Sequence, residues 1–170
     1  MNSALSVNRR RFIQTGLAGS LLLSFAGWLN AAGPRSLGVA EREMLAAVAA
    51  AFLDGALPSE GEARKKRVAR TVEGIARAVS GLSSATQKEI GELFALLTLA
   101  PGRMLIAGVG RSWAEASVAD VTDFLQSWRS SRLGLLQSGY AALHDLTFGA
   151  WYARPDSWEA IGYPGPPEVF

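Results

Sequence analysis

Val68, Val72, Ile75, Val79 and Leu82 recur at steps of four and three residues. That spacing places all five on one face of an α-helix and suits no β-strand, whose side chains alternate at a period of two. The same period runs through most of the chain. Leu45, Val48 and Phe52 share a face behind the polar turn Glu41-Arg42-Glu43, and the alanines from Ala46 to Ala51 favour helix. Ile90, Leu93, Phe94 and Leu97 form a third stripe, and Val121, Phe124, Leu125 and Trp128 a fourth. Leu133, Leu136, Tyr140, Leu143, Thr147 and Trp151 form a fifth, stopped by Pro155. The expected fold is all-α: a single-domain helical bundle of about five helices, preceded by an N-terminal signal helix and followed by an irregular, proline-rich tail.

The breaks between stripes carry helix-end chemistry. Gly55 and Pro58 end the first helix, and Ser59-Glu60-Gly61-Glu62 reads as a capping box for the second. Ser83 or Ser84 caps the third, which stops near Ala100-Pro101 because proline disfavours helical geometry in the residue before it. Residues 102–110 read either as a short buried helix starting at Pro101 or as an apolar loop. Within them, Gly108-Val109-Gly110 resembles half a dinucleotide fingerprint, but it lacks the third glycine and any βαβ frame, so a tight turn is the preferred reading. Ser117 with Asp120 opens the next helix.

Ahead of the bundle stands Arg9-Arg10-Arg11-Phe12-Ile13-Gln14, then the uncharged run from Thr15 to Leu29. Paired arginines, a free position, two bulky apolar residues and a polar one form the twin-arginine export pattern, in which Arg9, Arg10, Phe12 and Ile13 are the recognised positions. Such a signal is an address read by a receptor, and the route carries proteins that are already folded. The expected organisation is a signal peptide over residues 1–33, a helical domain over 34–153 and an aromatic, proline-rich docking tail over 154–170. Leu29-Asn30-Ala31-Ala32-Gly33 offers no clean Ala-x-Ala cleavage site, so the leader is either removed or kept as an N-terminal membrane contact. Removal is favoured, because the run is shorter than the ~20 residues of a comfortable span and holds three glycines and two serines. The expected location is the periplasm, with attachment to the inner membrane if the leader stays.

Three of the 17 basic residues are Arg9 to Arg11, and residues 1–33 hold no acid. The remaining 14 basic residues face 15 acidic ones, so the exported part carries −1 and lacks the cationic footprint of a nucleic-acid binder. The absence of cysteine excludes disulfides, thiolate metal sites, iron–sulfur ligation and c-type haem attachment on this chain. One face of the second helix carries Arg64, Lys65, Lys66, Arg67, Arg70 and Arg77. It reads as a solvated face, or as a docking patch for an acidic partner or lipid headgroups. The sole histidine, His144, stands beside Asp145 with no second histidine or carboxylate cluster at ligand spacing; a structural or exposed role is expected.

The tail concentrates aromatics and turns. Pro155-Asp156 starts one helical turn with Trp158 and Ile161 on one side, and Tyr163-Pro164-Gly165-Pro166-Pro167 continues in an extended, stiff form. Trp and Tyr are the residue types that anchor interfaces, so Trp151, Tyr152, Trp158, Tyr163 and Pro164 are the candidate partner-binding residues; for Trp151 and Trp158, packing over the chain's own helices is an equal reading. The tail pattern Phe-Gly-x-Trp-Tyr, then Pro-Asp-x-Trp, then Ile-Gly-Tyr-Pro-Gly-Pro, together with the twin-arginine leader, resembles the small, third subunit of gluconate 2-dehydrogenase-type complexes. The resemblance covers the leader and roughly residues 140–167; the middle of the chain matches only as generic helix.

That resemblance implies a non-catalytic subunit without a cofactor of its own. Its partner is a flavin-containing catalytic subunit of the glucose–methanol–choline oxidoreductase family, which lacks a signal and carries the FAD. The small subunit stabilises that partner and carries it to the twin-arginine translocase, and a cytochrome subunit often takes the electrons. The chain has no Cys-x-x-Cys-His, so it is not the haem subunit, and it lacks the cysteines that some small subunits hold near an iron–sulfur centre. Two other readings stay open. A stand-alone exported enzyme would have to work with carboxylates such as Asp145, Asp156 or Glu159. A membrane-tethered periplasmic scaffold unrelated to oxidoreductases would need only the uncut leader and the bundle.

Overall fold

The structure is a computed structural model in which residues 36–158 and Pro164 are described. The export signal with Arg9, Arg10, Phe12 and Ile13 lies outside the described residues, as do Glu159, Ile161 and Tyr163. The described chain is helical and contains no strand. Its six α-helices are α1 (Val39–Phe52), α2 (Gly61–Ser80), α3 (Ser84–Thr98), α4 (Ala100–Leu105), α5 (Val118–Arg129) and α6 (Gly134–Tyr152).

Helix α1 is the hub, in contact with α2, α3, α5 and α6. Its alanine-rich sequence lets four neighbours approach one short helix, while Met44, Leu45, Val48 and Ala49 are buried among them. Facing them are Val72, Ile75 and Val79 of α2, Phe94 and Leu97 of α3, Val121, Phe124, Leu125 and Trp128 of α5, and Leu143 of α6. A smaller cluster at the end of α1 gathers Ala49, Leu53, Leu57, Val68 and Trp151. Helices α2 and α6 also pack on each other. Gly74 makes this possible, since a Cβ there would lie 2.9 Å from the Ala150 Cβ.

The caps refine the sequence reading. Ser83 caps α3, its Oγ accepting the Thr86 N–H at 3.2 Å. Ser117 and Asp120 form the expected box at α5, with Ser117 Oγ accepting the Asp120 N–H at 3.1 Å and the Asp120 carboxylate accepting the Ser117 N–H at 3.2 Å. The box expected at Ser59 does not form. The cap of α2 is Glu60, and Gly61 enters the helix at φ +86°, a left-handed value that the interior of a capping box excludes. Helix α1 ends at Phe52, before Gly55, and a 3-10 turn over Asp54–Ala56 follows.

Residues 100–105 account for the sixth helix. The break falls at Leu99, and Pro101 sits in the first turn of α4, where its missing N–H leaves no bond unmade. Gly102 presses against the end of α3 so closely that a Cβ would meet the Leu96 carbonyl oxygen. Of the two readings the helix forms, but it is not buried: Met104 and Leu105 face outward. Gly108 takes φ +72° in the following loop, which has the tight-turn character expected of Gly108-Val109-Gly110. Val109 and Trp113 turn inward, and the Trp113 indole N–H donates to the Leu97 carbonyl at 2.8 Å. Leu133, expected to head the α6 stripe, is exposed instead because the helix starts one residue later.

Candidate partner interface at the C-terminal corner

The last turn of α6 carries the first two of the candidate residues, and the structure separates them. Trp151 is only 2% exposed, with Ala49, Leu53, Leu57 and Val68 around it. The Arg67 guanidinium lies over its ring at 5.9 Å from the centroid. Trp151 is therefore a core residue, because 100° per residue turns it toward α1 and α2, in line with the reading that it packs over the chain's own helices. Tyr152, one position on, is 43% exposed.

Tyr152 ends a row of rings along α6. Tyr140, His144, Phe148 and Tyr152 follow at i, i+4 intervals, with centroid separations of 5.8, 4.6 and 6.0 Å. Phe52, at the end of α1, touches the first three at 5.6–5.8 Å. His144 pairs through Nδ1 with the Asp145 carboxylate at 2.9 Å. The histidine is thus a half-exposed member of an aromatic row, and no group of three or more His, Asp or Glu among the described residues is arranged to hold a metal.

Beyond α6 the chain is turned and pinned. Pro155–Ser157 form a 3-10 turn, with Ser157 buried and its Oγ donating to the Arg154 carbonyl at 2.7 Å. Trp158 folds back so that its indole N–H donates to the Tyr152 carbonyl at 2.8 Å. Three arginines converge on Asp156. Arg154 binds the carboxylate through both Nε and Nη2, Arg70 stands 3.8 Å from it, and Arg67 donates to the Asp156 backbone carbonyl at 3.4 Å. The hydrogen bonds from Arg154 hold the Asp156 carboxyl below its ordinary range; burial opposes them, and the charges of Arg154, Arg67 and Arg70 add to the lowering. A carboxylate held ionised in this way is a poor proton carrier. Arg154 Nη1 is buried without an acceptor. Pro164 is exposed.

The basic face of α2 is therefore partly structural. Arg67 and Arg70 clamp the tail turn, while Arg64 reaches the Asp54 carboxylate at 2.7 Å and the Pro58 carbonyl at 3.1 Å, fastening the α1–α2 connection. Lys65 pairs with Glu62. Two shallow grooves of about 320 and 330 Å³ flank α1 and share Glu43 and Ala46; alanines dominate the first. The four-residue spacing of the rings on α6 was readable in the sequence, whereas the role of Arg67 and Arg70 in holding a turn 89 residues away from Arg67 carries no local signal. No family model, curated protein or solved structure matches the chain.

Proposed function

We propose that the chain is a non-catalytic accessory subunit that binds a flavin-containing catalytic subunit of the glucose–methanol–choline oxidoreductase type, stabilises it and carries it folded through twin-arginine export to the periplasm. The leader around Arg9 and Arg10 and the tail pattern from Phe148 to Pro166 support this reading. The observation that carries it is the pinned corner. Exposed Tyr152 and half-buried Trp158 flank a turn fixed by Arg154 and Asp156, so these two aromatic side chains are held on a rigid base. Aromatic anchors that are fixed before docking lose little entropy on binding. In this reading Tyr152, Trp158, Tyr163 and Pro164 meet the partner, and Trp151 supports them from below. FAD sits on the partner, and a cytochrome subunit receives its electrons.

The test is a pull-down of the tagged chain from native extract with an absorbance spectrum of the product. Co-purification of a larger protein with oxidised-flavin bands is expected, and Arg9→Lys with Arg10→Lys should leave both proteins in the cytoplasm. A chain that purifies alone and colourless would overturn the assignment in favour of the tethered scaffold.

A further inference from the structure

Nine large apolar side chains are conspicuously exposed among the described residues, and six of them belong to two short segments. Leu99, Met104, Leu105 and Ile106 lie on and around α4; Leu133 and Leu135 lie at the start of α6. Leu105 is 84% exposed, Leu135 66% and Leu133 64%. Trp128, at the end of α5, ties the segments together. Its indole N–H donates to the Ile106 carbonyl at 3.2 Å, and its ring lies against Gly139, one turn past Leu135. Both segments therefore border the same end of the bundle.

Within the stretches of sequence around these two segments the charge has one sign. Residues 93–114 contain Arg103 and Arg111 and no acid; residues 124–144 contain Arg129 and Arg132 and no acid. Arg129 and Arg132 are exposed and make no ion pair among the described residues. Exposed leucines beside unneutralised arginines are the two components of interfacial membrane binding: apolar side chains enter the headgroup–acyl boundary while cations meet anionic headgroups. A second copy is a poor occupant, since a two-fold contact would set these arginines against each other with no carboxylate from either segment to separate them. No described helix is long and apolar enough to cross a membrane, so the contact would be peripheral.

We propose that the α4 and early α6 end of the bundle is a docking surface for an anionic lipid bilayer, with Leu105, Leu133 and Leu135 entering the interface and Arg129 and Arg132 binding headgroups. This surface shares no residue with the C-terminal corner or with the leader sequence.

The cysteine-free sequence allows a position-specific test on the full chain. Leu105→Cys, Leu135→Cys and Leu82→Cys each receive a nitrobenzoxadiazole label; Leu82 lies beyond the opposite end of α3, about 22 Å of helix away. With vesicles of phosphatidylcholine and phosphatidylglycerol, emission at 105 and 135 should rise several-fold and shift to the blue, while the label at 82 stays unchanged. Phosphatidylcholine alone should give little response, and Arg129→Gln with Arg132→Gln should cut the response several-fold. Three results would overturn the proposal: labels at 105 and 135 that stay wet while the chain sediments with vesicles through its leader, no vesicle binding at all, or emission that rises with protein concentration without lipid.

Discussion

Gly74 on α2 and Ala150 on α6 meet with no room for one more methyl group: a Cβ on Gly74 would stand 2.9 Å from the Ala150 Cβ and 3.4 Å from its backbone. This contact sets how closely α6 lies on α2, and so where Trp151 enters the core beside Val68. It also explains a glycine in the middle of a 20-residue helix, where the residue costs about 1 kcal/mol relative to alanine. Gly74→Val should destabilise the fold by about 2–3 kcal/mol through overpacking. Urea unfolding would measure it as a lowered midpoint with the slope unchanged.

Trp151 and Tyr152 are neighbours with opposite consequences. Trp151→Ala empties a buried indole site and should cost about 3–5 kcal/mol. Tyr152→Ala removes a 43% exposed ring and should change stability by only about 0.5 kcal/mol. If the corner docks a partner, Tyr152→Ala with Trp158→Ala should lower the yield of co-purified flavoprotein several-fold while the purified chain keeps its helical circular dichroism. Unchanged co-purification from that pair would remove the corner from the interface.

How far the sequence could be read follows from the range of each interaction. Ile90, Phe94 and Leu97, and then Val121, Phe124, Leu125 and Trp128, announce buried faces because a helix repeats its environment every three or four residues. Ser117 and Asp120 act within one turn, so their box was equally plain. The cap of α2 escapes the local pattern, because Ser59-Glu60-Gly61-Glu62 satisfies a capping box while the left-handed Gly61 shifts the helix start. Residue type alone leaves Trp151 open between partner contact and packing, whereas its stripe with Leu143 and Thr147 points inward. The clamp of Arg67 and Arg70 on Asp156 and the pairing of α4 with the start of α6 through Trp128 are tertiary, and periodicity does not reach them.

The box at Ser117 gives a local test of α5. Its hydroxyl satisfies the Asp120 N–H and also donates to the Asp120 carboxylate at 2.7 Å. Ser117→Ala should cost about 1 kcal/mol. Ser117→Thr should recover most of that loss in thermal unfolding. Equal losses from both substitutions would mean that the side-chain oxygen is not the stabilising group.

Asp156 links the tail corner to pH. Its folded pKa lies below the ordinary value of 3.8, chiefly because of the hydrogen bonds from Arg154. A depressed carboxyl pKa contributes stability that is fully present above the unfolded value and is lost as pH falls through the folded one. The arginine clamp should therefore hold at neutral pH and weaken progressively from about pH 4 downward. Asp156→Asn removes this contribution at every pH. Its unfolding midpoint should lie below wild type at neutral pH, and the two curves should converge as acid protonates the wild-type carboxyl. Other carboxyls, including Asp120, whose pKa is lowered by Ser117, titrate alike in both proteins and cancel from the difference. Parallel midpoint curves down to about pH 3 would show that the Asp156 carboxylate does not hold the turn.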